Sequence, residues 1–295
     1  MGKGAVMSLV IFGYGYSARY FANHYGQRFA PITATVRDPQ RAKSLSTDHC
    51  AVVAFGDAID PALMPALQDA RYLLVSTPPH ATGDPVLEKL ANEIGALKKL
   101  ERIVYLSTIG VYGDYHGAWI DESALCKPGN ERSRWRLAAE EEWQAMGREL
   151  DVPTDVLRLA GIYGPGQNAL TQLKAGTARR IIKCDQVFNR IHVEDIARSI
   201  AACFERDEQG AVWNVCDDEP SPPQDVITFA AELMGVSPPP ELDFDTADLS
   251  PMARSFYSEC KRVSNHALKE KLGVTLAYPT YREALRALYE AGDGK

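Results

Sequence analysis

The chain lacks two features that define common classes of protein. No apolar run in its 295 residues approaches the roughly 18–20 residues that a membrane-spanning helix needs. Its net charge at pH 7 is −7, so a broad basic face for nucleic acid or for an anionic membrane is not expected. We therefore expect a small-molecule substrate, and neither nucleic acid nor a membrane as a partner.

Cysteine patterns that hold metals are also missing. The six cysteines show no CxxC spacing and no nearby pair of histidines, so we predict no metal site. We expect reduced, mostly buried thiols in a cytoplasmic protein. The start, MGKGAVMSLVIFGYG, resembles a signal peptide, but its apolar run passes directly into glycines and a charged helix without a small-residue cleavage pattern.

What the chain does contain is an alternation of short apolar runs and helical patterns. The runs are mostly apolar on both faces, which is typical of parallel strands covered by helices above and below. The alternation predicts an α/β fold, a doubly wound parallel sheet of the Rossmann type with right-handed crossovers. The predicted strands are Ser8–Phe12, Pro31–Val36, Ala51–Phe55, Tyr72–Thr77, Arg102–Ser107, Asp155–Ala160 and Ala211–Val215.

A change of composition near residue 217 predicts a second, smaller lobe. Residues 217–251 are rich in proline and acids, and one helix, at roughly 224–234, interrupts them. Residues 166–187 also leave the strand–helix alternation. The predicted division is a nucleotide-binding Rossmann domain of residues 1–165 and 188–217, and a C-terminal substrate-binding lobe of residues 166–187 and 218–295.

A glycine-rich turn follows the first predicted strand. Residues 13–18 read GYGYSA, which fits the GxGxxA pattern of dinucleotide-binding proteins. In that pattern the first glycine permits a tight turn, the second lets a diphosphate approach the backbone, and the small last residue lets the helix pack on the strand. A plain tight turn is the alternative, but the position between a strand and a helix favours dinucleotide binding. The predicted cofactor-binding residues here are Gly13, Gly15, Tyr16, Ser17 and Ala18.

The residues after the second strand favour NADP(H) over NAD(H). Arg37 stands where an arginine would accommodate the 2′-phosphate, whereas an Asp or Glu there would bind the ribose 2′-hydroxyl. Asp38 would be such a ribose ligand if the strand ended one residue later. Arg41 is either a further cofactor contact or a solvated helix charge.

Two further segments are predicted to contact the cofactor. Asp57 follows the third strand and is placed to meet the adenine end, or else to cap a short helix that ends near Gln68. Ser76, Thr77 and Pro78 follow the fourth strand and should lie along the middle of the cofactor.

Several segments resemble one family when taken together. LSTIGVYGD (106–114), IDESALCKP (120–128), LRLAGIYGPGQN (157–168) and RIHVEDIARSI (190–200) are similar to segments of the extended short-chain dehydrogenase/reductases, the NAD-dependent epimerase/dehydratase family. The likeness covers nearly the whole chain in the family's order. It implies a nucleotide-binding lobe of seven strands, a small C-terminal substrate lobe with the active site between them, and homodimers formed through the helices after strands four and five.

The resemblance implies chemistry by a Ser or Thr, a Tyr and a Lys. In that family the tyrosine exchanges a proton with the substrate, the lysine lowers the phenol pKa and holds the nicotinamide ribose, and the hydroxyl residue orients the substrate oxygen. Thr108 matches the hydroxyl position and is predicted to be catalytic. Ser107, just before it, is predicted to contact the cofactor.

The tyrosine–lysine pair of that family is missing. Aligning LAAE (137–140) with the family's helix puts Arg132 at the tyrosine position and Arg136 at the lysine position, and both are candidates for the catalytic site. No tyrosine lies between Tyr115 and Tyr163, so no shift of the alignment recovers the pair. An arginine cannot shuttle a proton near neutral pH, although it can bind an oxyanion or a ribose. The alternative for Arg132 is a solvated charge at the start of a helix.

Other polar candidates are more scattered. Tyr112 either approaches the nicotinamide as a proton donor or packs structurally. His192 is a candidate substrate contact, and Arg190 and Lys183 suit an anionic substrate. A literal YxxxK at Tyr257–Lys261 lies far beyond strand five, and we interpret it as a chance match.

These observations predict an NADP(H)-dependent oxidoreductase or epimerase-like enzyme that acts on a polar or nucleotide-linked substrate without the usual Tyr–Lys pair. The alternative is a non-catalytic NADP(H)-binding sensor or regulatory protein.

Overall fold

The computed structural model of the protein describes residues 7–295, so the first residues of the signal-like start lie outside the described residues. The strands are β1 (Leu9–Phe12), β2 (Ile32–Val36), β3 (Cys50–Ala54), β4 (Tyr72–Val75), β5 (Arg102–Thr108), β6 (Trp119–Ile120), β7 (Thr154–Leu159), β8 (Gly161–Tyr163), β9 (Arg180–Ile182), β10 (Arg190–His192), β11 (Val212–Val215), β12 (Glu241–Asp243) and β13 (Arg262–Val263). The α-helices are α1 (Tyr16–Tyr25), α2 (Pro39–Leu45), α3 (Leu63–Gln68), α4 (Pro85–Gly95), α5 (Glu131–Leu150), α6 (Ala169–Lys174), α7 (Val193–Glu205), α8 (Pro223–Met234), α9 (Pro251–Phe256), α10 (His266–Glu270) and α11 (Tyr281–Glu290).

One sheet of seven strands has the order β11-β7-β5-β4-β1-β2-β3. The pairs from β5 to β3 are parallel, and each predicted run overlaps one strand of this sheet. The predicted doubly wound Rossmann fold is therefore confirmed. The strand order reverses between β1 and β4, and in such sheets ligands bind at the carboxyl ends of the strands beside this reversal.

Both faces of the sheet are covered by apolar side chains, which explains why the strands are apolar throughout. One face packs against α4 and α5, with Trp143 fully buried in the cluster. Buried aromatic rings of Phe21, Phe29, Tyr72 and Phe204 pack edge to face or tilted elsewhere in the same unit. A strand with no solvent-facing side has no polar alternation, so its period cannot be read from the sequence.

The chain divides into two compact units. Unit 1 consists of residues 7–108, 130–158 and 196–213, and unit 2 of residues 109–129, 159–195 and 214–295. Unit 2 contains three two-stranded ladders, β8–β10, β9–β12 and β6–β13. The predicted boundaries of the substrate-binding lobe stay a prediction, because compactness alone does not identify a binding lobe.

Local signals fix the ends of the helices. The Asn130 side chain accepts a hydrogen bond from the backbone of Ser133 at the start of α5, and Asp151 ends that helix in a left-handed conformation. The helix predicted at 224–234 is confirmed as α8. Among residues 7–295, every helix is too short or too polar to cross a membrane.

Candidate functional site

The turn between β1 and α1 requires glycine at its first position. Gly13 has a φ of +91°, and a Cβ on it would lie 2.9 Å from backbone atoms of Ser76 and Thr77. Its N–H donates to the Thr35 hydroxyl at 3.0 Å, and the next N–H, of Tyr14, donates to the Thr35 carbonyl at 2.8 Å. The turn is thus held against β2 and the loop after β4, at the reversal of strand order.

The second glycine of the turn leaves open space. A Cβ on Gly15 would meet no heavy atom within 4 Å, and Gly15 is the N-cap of α1 without any side-chain hydrogen bond. The first turn of α1 carries no acid, while Ala18 is fully buried against the sheet. Uncapped N–H groups at a helix start attract phosphate. The residues present therefore fit a dinucleotide diphosphate.

The loop after β4 lies beside this turn. The Ser76 N–H donates to the Phe12 carbonyl at 2.7 Å, and Pro78 is exposed. The Thr77 hydroxyl oxygen is buried and has no hydrogen-bond partner among the described residues. An unpartnered buried hydroxyl costs stability unless a ligand or water satisfies it, which supports this loop as part of a binding site.

At the end of β2, the two charged neighbours have different surroundings. Asp38 accepts a hydrogen bond from the Gln40 backbone at 2.8 Å and is the N-cap of α2. Arg37 and Arg41 are exposed, and in the described part of the chain Arg37 makes no hydrogen bond or ion pair. The carboxylate here is thus used in the fold, whereas the guanidinium of Arg37 is available.

One alternative for Asp57 is wrong. Asp57 is exposed and does not cap α3, because that helix begins at Leu63 with Ala62 as its N-cap and has no side-chain cap hydrogen bond. The end of α3 at Gln68 agrees with the prediction. The predicted contact of Asp57 with adenine stays a prediction.

The arginine at the family's lysine position is engaged inside unit 1. Nη1 of Arg136 donates to the carbonyls of Leu106 and Thr77 at 2.9 and 3.3 Å and to the Tyr105 hydroxyl at 3.0 Å. Arg132, at the tyrosine position, is exposed in the first turn of α5. Of the two arginines, Arg136 therefore contacts β5 and the loop after β4, whereas Arg132 is exposed.

Ser107 belongs to a buried polar group that the sequence did not reveal. Its hydroxyl donates to Glu140, whose carboxylate also binds Arg158 at 2.7 and 3.1 Å. Glu140 is 1% exposed and Arg158 is 6% exposed. The arginine in the otherwise apolar run VLRLA (156–160) is the signal that could have indicated this pair. Thr108, at the end of β5, is half-buried.

Within unit 2, Tyr112 occupies a structural position. It is fully buried, and its hydroxyl donates to the Asn214 side chain at 2.8 Å. This geometry supports packing, the alternative to proton donation.

The YxxxK residues of unit 2 point to different partners. The Tyr257 ring packs against Phe188 and Phe244, with ring centroids 5.1 Å apart in both pairs. The Lys261 amino group donates to the Gly113 carbonyl at 2.7 Å and to Glu259 at 2.8 Å. These surroundings agree with a chance match of the pattern.

The two predicted substrate contacts lie together on β10. Nη1 of Arg190 donates to the Phe188 carbonyl at 3.0 Å and to the Ser221 hydroxyl at 2.8 Å. His192 is 2% exposed, and its Nδ1 accepts a hydrogen bond from the Glu194 backbone at 3.2 Å. Burial lowers the pKa of His192 to about 4, so its ring is neutral at neutral pH.

Asp217 is a further polar residue beside β10 that sequence reasoning missed. It is 2% exposed, and burial raises the pKa of its carboxyl to about 8. It lies in the acidic stretch DDEP, where the sequence does not distinguish a buried acid from exposed ones. Among residues 7–295, no three His, Cys, Asp or Glu side chains are arranged to hold a metal ion.

Two relatives span most of this chain. A solved structure of a functionally unknown conserved protein from Silicibacter pomeroyi DSS is 47% identical, with a TM-score of 0.89 over 97% of this chain and 99% of that one. A 3-diazoavenalumate denitrifying reductase from a Streptomyces species is 25% identical over 285 residues, which are 86% of this chain and 90% of that protein.

A third relative matches in part. Protein YeeZ of Escherichia coli K12 is 27% identical over 181 residues, which are 59% of this chain and 63% of YeeZ, less than two thirds of its length. Residues 86–216, which are less than half of the chain, match the model of the NAD dependent epimerase/dehydratase family and so resemble that family, in agreement with the order of the sheet. By its 47% identity, the chain belongs to one family with the Silicibacter protein.

Proposed function

We propose that this protein is an NADP(H)-dependent oxidoreductase that acts on a polar, anionic substrate without a tyrosine–lysine pair. The observation that carries the proposal is the turn at Gly13 and Gly15. It leaves free space at the start of α1, where no side chain caps the helix, and it lies where the strand order of the sheet reverses. The Streptomyces relative is named a reductase, which supports reduction over epimerisation. When bound, the nicotinamide nucleotide would supply or accept the hydride.

The preference for NADP(H) rests on the end of β2. Asp38 uses its carboxylate to cap α2, while the exposed Arg37 and Arg41 can approach a 2′-phosphate. Uncharged ribose gains much less from a guanidinium than a phosphate dianion does. We therefore expect NADPH to bind more tightly than NADH.

Arg37→Ala tests the cofactor assignment. We expect it to weaken NADPH binding about tenfold or more, since one charge-assisted phosphate contact is worth about 1.5–3 kcal/mol, and to leave NADH binding nearly unchanged. Titration calorimetry with both nucleotides measures the effect. Arg148→Ala removes an equally exposed arginine at the far end of α5 and serves as the matched control. Equal losses for NADPH and NADH in Arg37→Ala would refute the 2′-phosphate contact.

The proton transfer must use a group other than a tyrosine on α5. The Tyr112 hydroxyl donates a hydrogen bond to the Asn214 side chain, and Arg136 is held by backbone carbonyls, so neither is placed as a proton donor. Thr108, half-buried at the end of β5, can hold a water or a substrate oxygen. Oxidation of NADPH in the presence of a panel of carbonyl compounds tests turnover directly.

The engagement of Arg136 also supports a second candidate, a protein that binds NADP(H) without turnover. Arg132→Tyr combined with Arg136→Lys restores the family's pair and separates the two candidates. Turnover by the wild type would eliminate the non-catalytic candidate. Turnover by the double variant but not by the wild type would rule out the proposal that the natural protein is an enzyme.

A further inference from the structure

Polar side chains share one face of the β8–β10 ladder in unit 2. The parallel register sets Arg190 opposite Gly161 and His192 opposite Tyr163. Residues paired in register point to the same side, and so do alternate residues of one strand. Arg190, His192 and Tyr163 therefore lie on one face, and the rings of Tyr163 and His192 are in edge-to-face contact with centroids 5.4 Å apart.

Three buried atoms around this face lack hydrogen-bond partners among the described residues. They are the Tyr163 hydroxyl, Nε2 of His192 and Oδ2 of Asp217, from side chains that are all at least nine-tenths buried. Asp217 lies beside β10, because its N–H donates to the Arg190 carbonyl at 2.7 Å. A buried polar atom that is left unpaired lowers the stability of the fold, so a bound group is expected to satisfy these three.

All three atoms can act as donors at neutral pH. Because Nδ1 of His192 accepts a hydrogen bond, the proton of the neutral ring is on Nε2. Burial raises the pKa of Asp217 to about 8, so its carboxyl keeps a proton. Burial also raises the pKa of the Tyr163 phenol, which stays protonated.

The Arg190 guanidinium adds one positive charge. Its hydrogen bonds within the described chain all leave from Nη1, so its other edge remains available. One acid near it, Glu219, is occupied elsewhere, because it binds Arg282 at 3.1 Å.

We propose that this face binds a carboxylate group of an organic ligand. The carboxylate site consists of Tyr163, Arg190, His192 and Asp217. The single positive charge of the guanidinium matches the single negative charge of a carboxylate, and the neutral donors can donate hydrogen bonds to its two oxygens. A phosphate dianion would need a second cation, and Lys183 is bonded to the Tyr257 carbonyl. The inference rests on the proposed function, because the ligand would be the substrate of that reaction. All four residues of the site belong to unit 2.

Acetate is the probe, and acetamide is its neutral isostere. The full chain is titrated with each at constant ionic strength and pH 7 while the ring NMR signals of His192, assigned by their loss in His192→Gln, are followed. We expect acetate to shift these signals saturably and acetamide to bind at least tenfold more weakly. Arg190→Gln should weaken acetate binding at least tenfold, whereas Arg180→Gln, which changes another half-buried arginine of unit 2, should not.

Several results would overturn the carboxylate site: no saturable shift with acetate, equal binding of acetamide, or tighter binding of inorganic phosphate. If Arg190→Gln fails to fold, Tyr163→Phe carries the test, and unchanged acetate affinity in that variant refutes the site. NADPH binding is measured on the same samples. Its absence in the wild type would count against the proposed function and would leave the acetate result standing.

Discussion

The guanidinium of Arg136 lies over the ring of Tyr105, with its carbon 5.5 Å from the ring centroid and Nη1 3.0 Å from the hydroxyl oxygen. The same nitrogen donates to the carbonyls of Leu106 and Thr77. Arg136 therefore links the end of β5 to the loop after β4. The residue that the alignment puts at the lysine position thus supports the carboxyl edge of the sheet.

Replacing this arginine by lysine should weaken the fold. In Arg136→Lys, one ammonium cannot reproduce the planar donor geometry over Tyr105, and buried carbonyls lose a partner. We expect the free energy of unfolding to fall by about 1–3 kcal/mol. Urea denaturation measures the change, and Arg132→Lys, which alters an exposed arginine one turn earlier, should change it by less than about 0.5 kcal/mol. Equal effects of the two substitutions would contradict the role of Arg136.

The two glycines of the turn should respond differently to a methyl group. Gly15→Ala should keep the stability of the protein, because its φ of −82° suits alanine and its Cβ meets open space. The methyl group would, however, occupy the place of the diphosphate, so we expect NADPH to bind at least tenfold more weakly. Calorimetric titration of the folded variant measures this loss.

Gly13→Ala provides the contrast. Its φ of +91° and the backbone atoms 2.9 Å from a Cβ predict a loss of stability of about 1–3 kcal/mol or more, measured by urea denaturation. If Gly15→Ala bound NADPH as tightly as the wild type, the turn would not hold the diphosphate.

The strands and the glycine turn could be predicted because their signals are local. All four residues of β1 are buried, so an apolar run and the glycine after it identify the strand and the turn directly. The alternative for Asp57 was wrong because α3 begins only at Leu63, and it is Asp60, three residues after Asp57, that accepts a hydrogen bond from the Ala62 backbone just before the helix. Spacing alone does not choose between two acids in one loop.

The buried polar groups could not be predicted because their partners are distant in sequence. Glu140 and Arg158 meet only when α5 packs on β5 and β7. Asp217 is buried while its neighbour Asp218 bonds to Lys269 at a more exposed position. The Glu140–Arg158 pair and the burial of Asp217 both depend on tertiary packing, which cannot be predicted from the periodicity or composition of the sequence.

The pair Glu140 and Arg158 should be strongly coupled. Glu140→Gln leaves the Arg158 charge buried without its counter-charge, so we expect the free energy of unfolding to fall by about 3–5 kcal/mol. Adding Arg158→Leu removes that charge and should restore part of the loss. Urea denaturation of the two single variants and of the double variant gives a double-mutant cycle. Strictly additive losses of the free energy of unfolding would contradict the coupling.

Asp217 should make stability depend on pH. The folded pKa is about 8 and that of an unfolded Asp is about 3.9, so between these values the folded protein holds a proton that the unfolded chain has released. Its contribution to stability therefore falls as pH rises. His192 acts in the opposite sense, with a folded pKa of about 4 against about 6.5 unfolded, so its contribution is lost as pH falls below about 6.5. Up to about pH 6.5 the two residues change the free energy of unfolding in opposite directions as pH rises. Above that pH, Asp217 is the one of the two that still changes it.

Asp217→Asn should remove this dependence. For the wild type we expect the free energy of unfolding to decrease by up to about 2 kcal/mol between pH 6.5 and 8, while the variant stays level, as measured by urea denaturation across that interval. Arg190, Glu219 and Asp218 are the charges that act on this carboxyl. Asp218→Asn is the matched control and should keep the wild-type slope. Parallel curves for the wild type and Asp217→Asn would mean that the Asp217 carboxyl is already ionised in the folded protein, and the carboxylate site would then lose one of its donors.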